Sequence, residues 1–512
     1  MNMWTGLALG LGLAVAGWLI PRVVARTRWQ WSPLLLLDAA MPLALFSLVA
    51  ALGARPLFAG LITFAIGAAY GYADHAKKTV LAEPIIFTDV FQAFDIFRHP
   101  GLALPFPHKG RIALGVAAGL TILVILFRAE AAAWPWSAWP PLAVVALITL
   151  TGWSLGGPLN HATGRYLRRF PLSEDPCRDA TAIGPFATLL AYGILARAER
   201  TERQAKACAV QVQSARPTTP SLPKAPVVVV QCESFFDARR LHPALAHLQL
   251  PVLDRCRATG CQSGRLSVPS WGANTVRTEF AVLTGLEQQA LGLDRFNPYN
   301  RFANQPVPSL AWRLREQGYR TICLHPFDRS FYGRDRVMPN LGFETFIGEE
   351  AFIGAQRING YVADVEAARV ACEILREKRG PVFLFVITME NHGPWLPDVA
   401  KTASLLPAAL EVPVGEKQAL ESYLRSLANA DLMLERLTGE LETGGVLAFY
   451  GDHLPSFPAS FRHFGLNDTR SDYLVWRGGN QAFGGHSTAP VMDIQAHELG
   501  AAILQSLSRN RT

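Results

Sequence analysis

The chain has 512 residues, half of them hydrophobic and only 17% charged, with a mean hydropathy of +0.17. That excludes a disordered protein and a wholly soluble one, so part of the chain must sit in lipid. The formal charge of +7 lies in arginine pairs beside apolar runs rather than on an aromatic-interleaved stripe, which points to a membrane surface and away from nucleic acid.

A bilayer core takes about 20 apolar residues as helix, and five runs are predicted to cross: Met3–Ile20, Pro33–Leu52, Pro56–Tyr72, Ile112–Phe127 and Trp134–Leu155. No basic residue precedes the first, so a cleaved signal peptide is not expected. Asp38 falls in the second run and is expected near the interface, because an ionisable group is costly at the bilayer centre. Arg22, Arg26, Arg28, Lys77, Lys78, Arg98, Lys109 and Arg111 follow the first and third runs, in loops that the positive-inside rule assigns to the cytoplasm. With five spans the C-terminal part would share that side. A sixth crossing at Thr181–Ala196 would export it, but Gly184, Pro185 and the short length of that stretch fit an interfacial helix better. From Arg197 to Pro226 the chain is polar and then Pro-rich, as a linker is. The expected organisation is a membrane domain over 1–156, an interfacial helix and linker over 157–226, and a globular domain over 227–512.

In the globular part, short β-branched and apolar runs alternate with amphipathic helical stretches: Val227–Val230, Thr321–Leu324, Val382–Ile387, Val446–Tyr450 and Tyr473–Trp476. This predicts an α/β fold with a mainly parallel central sheet and flanking helices, with chemistry outside the carboxyl ends of the strands. The seven cysteines show no zinc spacing, and Cys256 and Cys261 form the one pair placed to bridge in an oxidising compartment.

Three of these runs end in reactive residues: Glu233 after the first, His392 in Met-Glu-Asn-His-Gly-Pro-Trp after the third, and Asp452 with His453 after the fourth. Two carboxylates and an imidazole from separate strands suit a divalent cation, Mn²⁺, Mg²⁺ or Zn²⁺. Each acid taken alone is more simply a helix cap or turn residue. Ser-Trp-Gly-Ala-Asn-Thr-Val-Arg-Thr-Glu-Phe opens a predicted helix and offers Thr275 as nucleophile, its hydroxyl placed for metal binding and its helix N-terminus for an anion. Equally, Thr275 or Asn274 caps that helix, with Thr278 and Glu279 as ordinary first-turn residues.

The order Glu-Ser-Phe, Asn-Thr-Val-Arg-Thr-Glu-Phe, Tyr-Gly-Arg-Asp, Asn-His-Gly-Pro-Trp, Tyr-Gly-Asp-His resembles the lipoteichoic acid synthase and glucan phosphoglycerol transferase family. That family belongs to the alkaline phosphatase and sulfatase superfamily. The likeness runs from about Val227 to Ile494, and Ala-Glu-Pro-Ile-Ile-Phe-Thr-Asp at 82–89 shares it. It implies that Glu233, Thr275, Asp452 and His453 hold one divalent cation, Mn²⁺ first, with Thr275 also the nucleophile. Arg334 and His392 fall on positions that bind the phosphoglycerol group, and His392 is, from its residue type, a candidate to donate a proton to the leaving group and then activate the acceptor hydroxyl. Tyr332 stands where lipoteichoic acid synthases carry Trp, and His325 is a further pocket candidate. His486 is read as a structural histidine. No Cys or Ser lies in the Cys/Ser-x-Pro-x-Arg context that formylglycine formation requires, so sulfate ester hydrolysis is disfavoured.

The resemblance implies transfer of sn-glycerol-1-phosphate from phosphatidylglycerol to a periplasmic glucan or another glycan or polyol, at the outer face of the inner membrane. Membrane lipid is a partner and nucleic acid is not. The other readings are a phosphodiesterase or phosphatase of the same superfamily, an inactive lipid- or glycan-binding module and, more remotely, a transporter.

Overall fold

The first four expected apolar runs become helices that outlast them. We describe the computed structural model over residues 3–90, 109–133, 159–214, 222–377, 379–396, 404–479 and 490–508; it divides into two units, Met1–Ala205 and Lys206–Thr512. In the first unit, α1 (Met3–Val24), α2 (Pro33–Gly53) and α3 (Pro56–Leu81) are, among the described residues, the helices long and apolar enough to cross a bilayer. α3 passes its expected end at Tyr72 because the charge at Asp74 is matched locally: its carboxylate takes the Ile85 N–H at 2.8 Å and lies 2.7 Å from the Lys78 ammonium. α4 (Lys109–Ala129) covers the fourth run, apolar over the shorter stretch Ala117–Ala129, while Trp134–Leu155 lies outside the described residues.

Glycines let α1 and α3 touch. A Cβ on Gly60 would lie 2.2 Å from the Gly10 carbonyl oxygen, and one on Gly67 would lie 2.1 Å from that of Gly17. Without a hydrophobic drive between helices in lipid, such close backbone approach is what packs them. Glu130, just beyond α4, accepts the N–H groups of Leu57 and Phe58 at 2.9 and 2.8 Å, closing the open N-terminus of α3.

Two short helices, α5 (Leu159–Leu167) and α6 (Pro176–Ile183), and the long α7 (Pro185–Ser214) follow. Gly184, at φ 105, separates the last two, so Thr181–Ala196 is not one crossing helix; α7 itself runs into the stretch expected as linker. Asp38 is fully buried and joins three elements, accepting from Trp18 Nε1 at 2.6 Å, Arg22 Nη1 at 2.7 Å and the Ala187 N–H at 2.9 Å. Lys77 pairs with Asp89 at 2.6 Å. The basic loops therefore carry less unmatched charge than the sequence alone suggests.

The second unit is built on an eight-stranded sheet in the order β10-β2-β9-β8-β1-β7-β3-β4. Its strands are β1 (Val227–Cys232), β2 (Gln262–Ser267), β3 (Arg320–Leu324), β4 (Thr345–Ile347), β7 (Val382–Ile387), β8 (Gly445–Gly451), β9 (Ser471–Gly478) and β10 (Ile494–Gln495); β5 (Arg357–Ile358) and β6 (Tyr361–Val362) form a separate hairpin. The pairs β8-β1, β1-β7, β7-β3 and β3-β4 are parallel, and β9 runs antiparallel to both β8 and β2. All five predicted strands are present. β1, β7 and β8 are buried along their whole length, as continuous apolar runs between helical layers should be. Cys256 and Cys261, expected as the possible bridge, are free buried thiols.

Candidate active site

The sheet register sets the site. Gln231 pairs with Ile387 on one side and Tyr450 on the other, so Glu233, Met389 and Asp452 leave three adjacent strands at one level. β2 runs antiparallel to β9 and β9 to β8, so it delivers the 268–274 loop and helix α8 (Thr275–Thr284) to the same edge.

Glu233, Asp452 and His453 offer ligand atoms within 4.8 Å of one another, all buried. Ser234 knits them together: its N–H donates to Asp452 Oδ1 at 2.9 Å, its hydroxyl to Glu233 Oε1 at 3.0 Å, and the hydroxyl oxygen lies 3.3 Å from His453 Nε2. Asp452 Oδ2 and His453 Nδ1 are 2.8 Å apart, yet neither makes a hydrogen bond of proper geometry. Two buried ligand atoms left without hydrogen bonds beside a second carboxylate are a donor set that fits a divalent cation.

The electrostatics agree. Burial and the Asp452 charge push Glu233 up to about 8. His453 is raised to about 9, because the Asp452 and Glu233 carboxylates outweigh the burial that would lower it. Burial would raise Asp452 too, but His453 holds it below the usual carboxylate range. Unaided, the two acids draw their positive charge from a proton on His453; a bound cation would take that role and leave the imidazole a neutral ligand.

Thr275 does not act as a cap. It is the first residue of α8 and lies close enough to the Asp452 carboxylate to help lower its pKa, and Asn274 at the N-cap position has a left-handed φ of 65 and makes no side-chain cap bond. One turn on, the Thr278 hydroxyl donates to the Asp452 carbonyl at 2.7 Å. Next to it Glu279, with no exposed surface, accepts from Arg334 Nε at 3.2 Å and Nη2 at 2.8 Å. Burial opposes the Arg334 charge, but Glu279 raises its pKa above the ordinary value.

His325, at the end of β3, faces Arg334 rather than acting alone: its Nε2 lies 3.2 Å from Arg334 Nη1 and its Nδ1 3.4 Å from the Ile387 carbonyl. Since arginine can only donate, His325 Nε2 is the acceptor and Nδ1 carries the proton. Burial and the Arg334 charge hold its pKa well below 6.5. In His392 the Nδ1 donates to the Gly393 carbonyl at 2.5 Å and lies 3.2 Å from the Tyr361 hydroxyl, which leaves Nε2 with its lone pair. Burial lowers the His392 pKa, partly offset by the Gly393 carbonyl.

Glu233, Thr275, His325, Tyr332, Arg334 and His392 line one cleft, floored by Ile387 and Met389. The Tyr332 ring lies 5.4 Å from the Arg334 guanidinium. Burial raises the Tyr332 phenol, so it stays protonated and offers a donor. Three non-glycine residues with positive φ ring the site, Ser234 (51), Asn274 (65) and Tyr332 (58). Strain of this kind persists only where the surroundings hold it. His486 lies outside the described residues. Sequence reasoning missed Ser234, Tyr361 and the role of Glu279. Only Glu279 left a signal, standing four residues after Thr275 and hence on the same helix face.

Comparison with known proteins follows the same lines. The Sulfatase family model matches residues 226–505. The capsular polysaccharide biosynthesis protein RkpI of Rhizobium meliloti (strain 1021) is 30% identical over 443 residues, covering 82% of this chain and 77% of that protein. A lipoteichoic acid synthase of Staphylococcus saprophyticus is 24% identical over 176 residues, 33% of this chain and 26% of the synthase. Among solved structures, the integral membrane lipooligosaccharide phosphoethanolamine transferase A of Neisseria meningitidis has the same fold, with a TM-score of 0.53 at 13% identity over 99% of this chain and 94% of that one.

Proposed function

The chain belongs to the sulfatase family, as a multi-pass membrane protein with a large extramembrane catalytic domain, and on that premise we propose that it is a phosphoglycerol transferase. The donor is phosphatidylglycerol and the acceptor a glycan, a periplasmic glucan or a related surface polysaccharide, with the catalytic domain on the periplasmic side. Kinship with lipoteichoic acid synthases supports the donor, and the polysaccharide-related name of the Rhizobium relative supports the acceptor class. One observation carries the reading: Thr275 and Arg334 line the same cleft as Glu233, which with Asp452 and His453 forms the buried ligand cluster.

Glu233, Thr275, Asp452 and His453 would hold the divalent cation, which when bound lowers the pKa of the hydroxyl and offsets phosphoryl charge. Thr275 Oγ attacks phosphorus and its proton passes to the diacylglycerol oxygen as the bond from phosphorus to that oxygen breaks, so a phosphoglyceryl-threonine forms and diacylglycerol leaves. An acceptor hydroxyl then attacks the same phosphorus and Thr275 regains its proton. Of the five N–H donors on Arg334, Glu279 and His325 engage three, leaving one on each terminal nitrogen for phosphoryl oxygens. His392, neutral and with Nε2 open, is placed to take the acceptor hydroxyl proton. Of the two roles expected of it, a lowered pKa favours this one over proton donation in the first step.

Intact-mass and peptide mass spectrometry of the full-length protein, in detergent with phosphatidylglycerol and Mn²⁺, tests this. The expected result is a phosphoglycerol adduct on Thr275, absent in Thr275→Ala, with diacylglycerol released. No adduct and no diacylglycerol with Mn²⁺, Mg²⁺ or Zn²⁺ would remove phosphatidylglycerol as donor.

A further inference from the structure

Behind the cleft lies a buried polar network that no step above uses. Glu279 is its centre. Both carboxylate oxygens are engaged twice: Oε1 by Arg334 Nε and the Tyr299 hydroxyl, Oε2 by Arg334 Nη2 at 2.8 Å and Gln231 Nε2 at 2.9 Å. The Tyr450 hydroxyl in turn donates to Gln231 Oε1 at 2.5 Å. Gln231 and Tyr450 are register partners on β1 and β8, the strands that end in Glu233 and Asp452. Glu279 and Arg334 are 0% and 2% exposed, so the pair is desolvated and its geometry is held by packing as well as by charge.

We propose that Glu279 is a positioning residue for the transfer reaction: it fixes the Arg334 fork at a set distance from Thr275, because both Glu279 and Thr275 belong to one face of α8. This deepens the function proposed above and rests on its assignment of Arg334 to the phosphoryl group. Residues four apart on a helix stack one above the other. Thr275 lines the cleft, Thr278 reaches the Asp452 carbonyl, and Glu279 reaches Arg334. One rigid helical turn thus spaces the nucleophile, the ligand cluster and the phosphate fork. His325 steadies the third side of the guanidinium, accepting from Nη1 at 3.2 Å. A bidentate carboxylate is needed because a guanidinium on a flexible stem can otherwise swing, and a misplacement of about 1 Å in a reacting array can lower the rate about 100-fold.

The isosteric Glu279→Gln tests this. The amide accepts from one guanidinium N–H but presents its own N–H₂ to the other, so the fork turns while volume is kept. In full-length protein with phosphatidylglycerol and Mn²⁺, kcat/KM should fall about 100-fold. The inhibition constant of sn-glycerol-1-phosphate should rise about 10-fold or more, as expected for a loosened charge-assisted phosphate contact. Mn²⁺ affinity should stay at the wild-type value; the unfolding midpoint should fall, because Arg334 loses its buried counter-charge, so the constants are compared per folded molecule. On an Arg334→Ala background the same substitution should add almost nothing, since its effect passes through Arg334. If Glu279→Gln does not fold, Tyr299→Phe carries the test. It removes one bond to Glu279 and nothing from the cleft, and should shift kcat/KM and the inhibition constant in the same direction by a smaller factor.

The failures separate cleanly. Arg334→Ala with wild-type turnover would overturn the assignment of Arg334, and with it the functional reading. An inactive Arg334→Ala beside a Glu279→Gln, or a Tyr299→Phe where that carries the test, with wild-type constants would overturn the positioning role alone. So would a loss that vanishes when turnover is expressed per folded molecule, or one that persists in full on the Arg334→Ala background.

Discussion

Asp38 and Asp452 are both without exposed surface, and they are satisfied in opposite ways. Asp38, in the membrane unit, has both oxygens bonded, to the Trp18 indole, the Arg22 guanidinium and the Ala187 N–H. Asp452, in the catalytic unit, has Oδ1 bonded to the Ser234 N–H while Oδ2 has no hydrogen bond. Burying a carboxylate is expensive unless it is paired and hydrogen-bonded. The protein completes Asp38 from its own atoms, which makes it a clamp between helices. It leaves Asp452 to be completed from outside, which makes it a site.

The sharpest way to break that contrast is to remove the two groups in turn. Asp452→Asn and Thr275→Ala should each lower turnover about 10⁴-fold or more, as loss of members of a catalytic unit does. The cation-free Asp452→Asn protein should melt no lower than wild type, since the change relieves two crowded buried acids. Thermal unfolding with and without chelator checks this, and a large fall in midpoint would place Asp452 among the clamps. Asp38→Ala should do the reverse. It strands Arg22, only 3% exposed, and should destabilise the membrane unit by about 3–5 kcal/mol. Turnover per folded molecule should stay near wild type. Replacing Arg22 and Asp38 together by apolar residues of similar size should recover most of the stability, as read by unfolding in detergent.

The same contrast explains what could be read in advance. β1, β7 and β8 are built on the apolar runs Val227–Val230, Val382–Ile387 and Val446–Tyr450 and were legible, as were Glu233, Asp452, His453 and His392 at their ends, because a parallel sheet exposes such ends at one edge. β2 and β10 were not. Gln262–Ser267 alternates polar and small residues at the weakly paired side of the sheet, and Ile494–Gln495 is two residues long. Ser234 and Glu279 were missed as site residues because their roles come from hydrogen bonds to residues far along the chain, Asp452 and Arg334, that no local pattern encodes. The orientation conflict has a similar source. The basic loops read as free positive charge, whereas Arg22, Lys77 and Lys78 each meet an acid in three dimensions.

A smaller effect is expected where the membrane unit relies on shape rather than charge. Gly67→Leu places its Cβ 2.1 Å from the Gly17 carbonyl oxygen and must push α1 from α3. Overpacking of this kind costs about 1–3 kcal/mol. The unfolding midpoint of the membrane unit should fall, while the Mn²⁺ affinity of the catalytic unit should not move. A matched loss in both would mean that the two units do not fail separately.

The smallest and most diagnostic effect is in the pH profile. Burial lowers the His392 pKa from the ordinary 6.5, and the Gly393 carbonyl opposes this only in part. The neutral form, with its lone pair on Nε2, is the one placed to accept a proton. The sign follows from that. His392 is mainly neutral at pH 7, and kcat/KM falls as pH drops through a value below the ordinary 6.5, when the imidazole gains its proton. His392→Gln should lower the plateau and remove this acid limb. Tyr361→Phe, which deletes the hydroxyl 3.2 Å from Nδ1, should shift the limb by less than a unit and leave the plateau nearly intact. An acid limb centred above 6.5 would show a protonated His392 in the resting enzyme. His392 would then be a proton donor in the first step, and the catalytic unit would hold a second group completed, like Asp452, only when substrate or cation arrives.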